Sequence, residues 1–125
     1  MSRSQLELEH SVMVSKLSKP GLTIMQQLDP RKTNLWHMIT GISGECGELT
    51  DAIKKHVIYD KPLDNANVVE ELGDLEFYME GLRAQLEITR DETLRHNLAK
   101  LSKRYAQGYS DKAAQDRADK QESAK

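Results

Sequence analysis

The stretch GISGECGELTDAIKK, Gly41 to Lys55, decides how this chain of 125 residues is read. Its apolar positions Ile42, Cys46, Leu49 and Ile53 recur at steps of three and four, the period of a helix with one apolar face. The same segment carries Gly41, Gly44 and Gly47, although a glycine costs about 1 kcal/mol inside a helix relative to alanine. It also carries two carboxylates, Glu45 and Glu48, three residues apart and therefore on one helix face. A helix that only packed a core would need neither the glycines nor the acids.

The segment downstream repeats the pattern. VVEELGDLEFY holds Glu71 and Asp74, again three apart, with Gly73 between them. At about 100° per residue, Glu45, Glu48, Ala52 and Lys55 form one stripe of their helix, and Ile42, Cys46, Leu49 and Ile53 form the adjoining one. Glu71, Asp74 and Tyr78 stand in the same relation to Val68, Leu72, Leu75, Met79, Leu82 and Leu86. In a further helix Asn97, Lys100 and Arg104 border Leu94, Leu98, Leu101 and Tyr105. Close backbone approach at Gly44, Gly47 and Gly73, or room for an ion and a ligand, would offset the helix propensity lost there. Cys46 reads as a small core residue, Glu70 and Glu76 as solvated, and Asp51 has no assignment.

Around these segments the breakers define an all-α chain of four to five helices. A first helix runs from about Gln5 to Leu17 and stops at SKPG; a short helix or irregular segment around Leu22 to Leu28 ends at DPRK, where Pro30 punctuates. Asn34 is the expected N-cap of the long acidic helix, which extends to about His56. YDKPLDN is a loop, and KHVIYDK before it carries the one hint of extended chain. A third helix spans about Asn65 to Leu86. Thr89 with Glu92 three residues on is a capping-box pattern, opening a fourth helix through about Gln107. The last stretch, SDKAAQDRADKQESAK, has almost no large apolar residue, so disorder is expected at its end.

Composition excludes several classes of function. A formal charge of −2 and an isoelectric point near 6.1 give no basic surface for wholesale nucleic-acid binding. One cysteine forbids an intrachain disulfide and fits a reducing compartment. No apolar run reaches the ~20 residues of a membrane span, and the charged MSRSQLELEH is unlike a secretory signal. A cytoplasmic protein is expected. With 38% hydrophobic and 5% aromatic residues a single copy buries a modest core, so subunit association is expected too.

Alone, each acidic pair is ordinary solvated surface. Two pairs on helices joined by one loop, each beside an apolar stripe, repel one another unless cations or protons neutralise them. Hard oxygen donors select Mg²⁺, with Mn²⁺ as a substitute, and no zinc-like Cys/His cluster exists. Magnesium usually shares its ligands with substrate phosphates, and Lys55, Lys100 and Arg104 are the cations suited to hold a polyphosphate. Other motifs lead nowhere: Glu7 and His10 have the di-iron spacing without a second copy, and neither a P-loop nor a nucleophilic-serine elbow is present.

GISGECGELTDAIKK, VVEELGDLEFY and NLAKLSKRYAQGYSD together closely resemble the MazG-like all-α nucleoside triphosphate pyrophosphohydrolases over about residues 34 to 111. The resemblance implies Mg²⁺-dependent hydrolysis of an NTP or dNTP to the monophosphate and pyrophosphate, with dGTP or GTP as one candidate substrate. It implies metal ligands and catalytic acids at Glu45, Glu48, Glu71 and Asp74, one first-motif glutamate serving the attacking water. It further implies sugar or phosphate contacts at Asn97, Lys100 and Arg104, and more loosely a base pocket walled by Trp36 and His37. Tyr78, on the acidic stripe, is a further base-pocket candidate. Homodimers or homotetramers are expected, in the host cytoplasm if the chain is phage-encoded. The domain reading is an N-terminal segment at 1–33 packing on the bundle, a catalytic helical core at 34–110, and a charged tail at 111–125, its end disordered. Two alternatives are a phosphoribosyl-ATP pyrophosphohydrolase-like enzyme and a non-catalytic helical interaction protein whose acidic stripe binds a metal.

Overall fold

A computed structural model describes residues 2–121. Those residues form seven helices and no strand. They are α1 (Gln5–Leu17), α2 (Gly21–Gln27), α3 (Pro30–Val57), α4 (Asn65–Leu86), α5 (Arg90–Arg104), α6 (Asp111–Asp116) and α7 (Ala118–Gln121). The all-α expectation is met, and KHVIYDK is helix and turn, not strand.

The chain divides into two compact units, residues 1–33 and 34–125. In the first, α1 starts at a capping box: the Glu7 amide donates to Ser4 Oγ at 3.2 Å, and the Ser4 amide donates to the Glu7 carboxylate. Pro20 ends the following turn, and α2 is a regular helix rather than irregular chain. The long helix α3 begins at Pro30, four residues before the expected Asn34 cap. Asp29 is the cap instead, its Oδ1 accepting the Lys32 amide at 2.8 Å. Proline suits the first helical position, where its missing N–H would have had no partner, so here it opens a helix.

In the second unit, Asp64 caps α4 by accepting the Asn67 amide at 3.0 Å, and Glu87 closes that helix in the left-handed conformation. The Thr89–Glu92 capping box opens α5 as expected, with the Glu92 amide 3.1 Å from Thr89 Oγ1. α5 ends at Arg104, three residues short of the expected Gln107. Residues 111–121 are helical, turning at Arg117 (φ 48°) between α6 and α7. The end of the expected tail, 122–125, lies outside the described residues.

α3 and α4 are antiparallel and keyed together by two glycines. The Tyr78 ring fills the space that a Cβ at Gly41 would occupy, and the Met38 thioether does the same at Gly81. Gly44, Gly47 and Gly73 have open space where a Cβ would stand, so close approach falls one turn away from where the sequence reading put it.

Among the described residues only Ala52, at 8% exposure, is buried. The apolar stripes run along the helices as expected and are partly covered among the described residues: Ile42, Leu49, Val68, Leu75, Met79 and Leu82 are half-buried, whereas Ile53 on α3, Leu72 on α4 and Leu94 and Leu98 on α5 are exposed, as are Ile39, Val57 and Phe77 beside them. Cys46, expected in a core, is exposed as well.

Two alanine substitutions separate the two kinds of glycine. Gly41→Ala forces a ring to move and should lower the melting temperature, costing about 1–3 kcal/mol. Gly47→Ala meets no neighbour and should raise stability by up to about 1 kcal/mol through helix propensity. Thermal denaturation of both variants followed by circular dichroism checks this pair.

Candidate metal centre

The contacts Gly41–Tyr78 and Met38–Gly81 set the register of α3 against α4. Carried one and two turns further towards the connecting loop, the same register sets Glu45 level with Asp74 and Glu48 level with Glu71. Acids from two segments of the chain are thus brought to the same level of the hairpin. One carboxylate oxygen from each of Glu45, Glu71 and Asp74 lies within 4.8 Å of the other two, with Glu45 and Glu71 half-buried and Asp74 exposed. Glu48 is exposed and stands outside this convergent trio, though its charge acts on Glu71.

The crowding leaves an electrostatic signature. Glu71 is held above the usual carboxylate range, first by loss of hydration and then by repulsion from Glu45, Glu48, Asp74 and Glu70. A donor set of carboxylate oxygens without cysteine or histidine fits a hard divalent cation, whose charge would relieve that repulsion.

The other candidate residues fall into separate groups. Lys55 Nζ pairs with Asp51 at 3.1 Å on the exposed surface, which gives Asp51 a partner and leaves the pair worth little to stability. Lys55 also lines a cavity of about 440 Å³ with Ala52, Lys61, Pro62, Asp64 and Asn67, next to the acidic centre along α3. His37 and Tyr78 are neighbours, edge to face at 6.1 Å, and Phe77 stacks on Tyr78 at 5.1 Å in the same manner. Trp36 is 62% exposed and takes no part in these ring contacts. Glu76, expected to be simply solvated, accepts long ion pairs from Arg83 and Arg90, each at 3.7 Å.

On α5, Asn97 is exposed, whereas Lys100 and Arg104 are half-buried. Arg104 is engaged by a residue that sequence reasoning missed: its Nε donates to Asp119 Oδ1 at 2.7 Å and its Nη2 to Oδ2 at 3.2 Å. No hydrogen bond or ion pair among the described residues joins Asn97, Lys100 or Arg104 to the four acids. A pair fifteen positions apart leaves no trace in helical periodicity; an isolated acid in a charged tail was the only signal available.

Residues 34–108 match the family model of the MazG nucleotide pyrophosphohydrolase domain. The match covers more than half of the chain and includes all four acids, so this protein belongs to that family. Membership supports an activity of the nucleotide pyrophosphohydrolase kind. No curated protein and no solved structure matches the chain significantly.

The raised Glu71 value fixes a pH dependence. A carboxyl whose folded value exceeds its unfolded one contributes stability that is complete below the unfolded value and lost as pH rises through the folded one. Without divalent ions, Glu71→Gln should therefore raise the melting temperature at pH 7 and change it little at pH 3.5. Adding Mg²⁺ at pH 7 should stabilise the natural chain more than the variant. Thermal melts at the two pH values, with chelator or with Mg²⁺, test both statements.

Proposed function

We propose that the chain hydrolyses a nucleoside or deoxynucleoside triphosphate between the α- and β-phosphates, releasing the monophosphate and pyrophosphate. The observation that carries this reading is the convergence of Glu45, Glu71 and Asp74 from two helices, inside the segment that matches the family. Glu45, Glu71 and Asp74, with Glu48 beside them, would hold the divalent cation, Mg²⁺ first and Mn²⁺ as its substitute. When bound, the cation supplies charge neutralisation at the phosphates and makes water a better nucleophile.

The chain's own residues have the remaining work. Glu48, exposed and outside the convergent trio, is the candidate for orienting the attacking water and taking its proton. Lys55 and Lys100 carry positive charge for the β- and γ-phosphates, Arg104 stands one turn from Lys100 with its charge engaged by Asp119, and Asn97 has donors for sugar or phosphate. The His37–Tyr78 pair offers aromatic faces against which a base can stack, with Trp36 as a further wall. A guanine deoxynucleotide is among the candidate substrates.

Association of identical subunits belongs to the same proposal. Among the described residues only Ala52 is fully buried, and Ile53, Leu72, Leu94 and Leu98 of the stripes on α3, α4 and α5 are exposed, an arrangement that another copy could complete. A dimer or a tetramer would cover them and would bring a second subunit's side chains towards each acidic centre.

An assay of the purified protein with Mg²⁺ against the eight standard NTPs and dNTPs tests the reaction, with pyrophosphate and orthophosphate separated by ion exchange. Monophosphate and pyrophosphate are the expected products. Glu71→Gln should lower kcat/KM by at least about a hundredfold, since even the outer partners of metal ligands are worth about 10–100-fold. Release of orthophosphate in place of pyrophosphate would overturn the choice of bond. Light scattering coupled to size exclusion tests the assembly: a mass of two or four chains is expected, and Ile53→Glu on the exposed α3 stripe should reduce it.

A further inference from the structure

The segment after the family match folds back on α5. Tyr105 and Tyr109 pack ring against ring at 5.6 Å, Ser110 caps α6 by accepting the Ala113 amide at 3.0 Å, and α7 lies against α5. The polar tie between α7 and α5 is the two-point pair of Asp119 with Arg104. Their side chains are only 6% and 15% exposed. The pair is strong in its own terms, since Arg104 holds Asp119 below the usual carboxylate range.

Two features of this contact bear on anion binding. The carboxylate occupies the Nε edge of the guanidinium and one hydrogen of Nη2. The Tyr105 side chain engages the same guanidinium, so Arg104 is held in place as the anchor for α7. Docking of α7 also builds a cavity of about 280 Å³, with His96, Lys100 and Lys103 on the α5 side and Asp119 and Lys120 on the α7 side. Without α7 that cavity would have one wall and would lack Lys120.

We infer that Asp119 is a positioning residue for a polyphosphate subsite: its pair with Arg104 docks α7 so that Lys120 joins Lys100 around one anion in the cavity between α5 and α7. Arg104 does not line that cavity and Asp119 neutralises its charge, so attraction for the anion comes from Lys100 and Lys120. The ligand class is a di- or triphosphate group, free or as the tail of a nucleotide. Its use as the substrate's tail rests on the pyrophosphohydrolase reading; binding of the anion itself does not.

Inorganic pyrophosphate is the probe, titrated calorimetrically with chelator present so that the acidic centre cannot recruit it through a cation. The natural chain should bind it, Asp119→Asn about tenfold more weakly, and Asp119→Glu in between. Lys120→Gln, an exposed change that leaves the Arg104 pair intact, should weaken binding severalfold and keeps the test decisive if Asp119→Asn does not fold. In the nucleotide assay Asp119→Asn should raise KM by a similar factor with kcat within about twofold. Absent binding to the natural chain, or unchanged binding in Lys120→Gln and any folded Asp119 variant, overturns the subsite. Tighter binding in Asp119→Asn also overturns it, because Asp119, which lines the cavity, would then repel the anion rather than position Lys120 for it. Asp119-dependent pyrophosphate binding without nucleotide turnover would sustain the subsite and sink the pyrophosphohydrolase reading alone.

Discussion

The register of α3 against α4 is the constraint on which the acidic centre depends. Two side chains, Met38 and Tyr78, each fill the place of a missing Cβ on the opposite helix. That interlock lets the helices slide neither way without opening a void or forcing a ring into backbone. Glu45 and Asp74, and Glu48 and Glu71, become neighbours only because the interlock sits one and two turns away. Loss of hydration and then repulsion among the acids oppose the arrangement, and both push Glu71 upward. The packing at Gly41 and Gly81 holds together what the charges would push apart.

Much of this was legible from residue order. The capping box at Thr89, the span of α4 and the acid spacings are local features, set within four residues, and each behaves as its pattern requires. Pro30 was ambiguous because proline breaks a helix interior yet favours the first turn, and only the Asp29 cap decides between them. The keyed glycines could not be singled out, since Gly41 and Gly44 look alike until the partner helix is in place. Cys46 shows a different limit: periodicity tells which side of a helix is apolar, not whether anything covers it. Arg104 shows the third, because its partner Asp119 lies beyond any local repeat.

The site and the apolar surface are also linked in energy. Half-buried side chains such as Leu75, Met79 and Leu82 give a modest hydrophobic stabilisation to set against chain entropy, and the helix caps add only a little. The exposed stripes of α3 and α4 flank the same helices that carry the acids. Any contact made by those stripes would therefore bear on the same helices that hold the carboxylates.

The loop Ile58–Asp64 gives the acidic centre a place in time as well as in space. All four acids lie in a single helical hairpin, on either side of that short connection. Closing so short a loop costs little chain entropy, and lengthening it twofold would add only about 0.6 kcal/mol. The contacts span about twenty to thirty residues within one hairpin, a shorter reach than any pairing with the rest of the chain would need. The carboxylates are thus brought together in the hairpin itself, before α5 and its C-terminal partner need be in position, and a divalent cation met at that stage would act as a clasp on nascent structure.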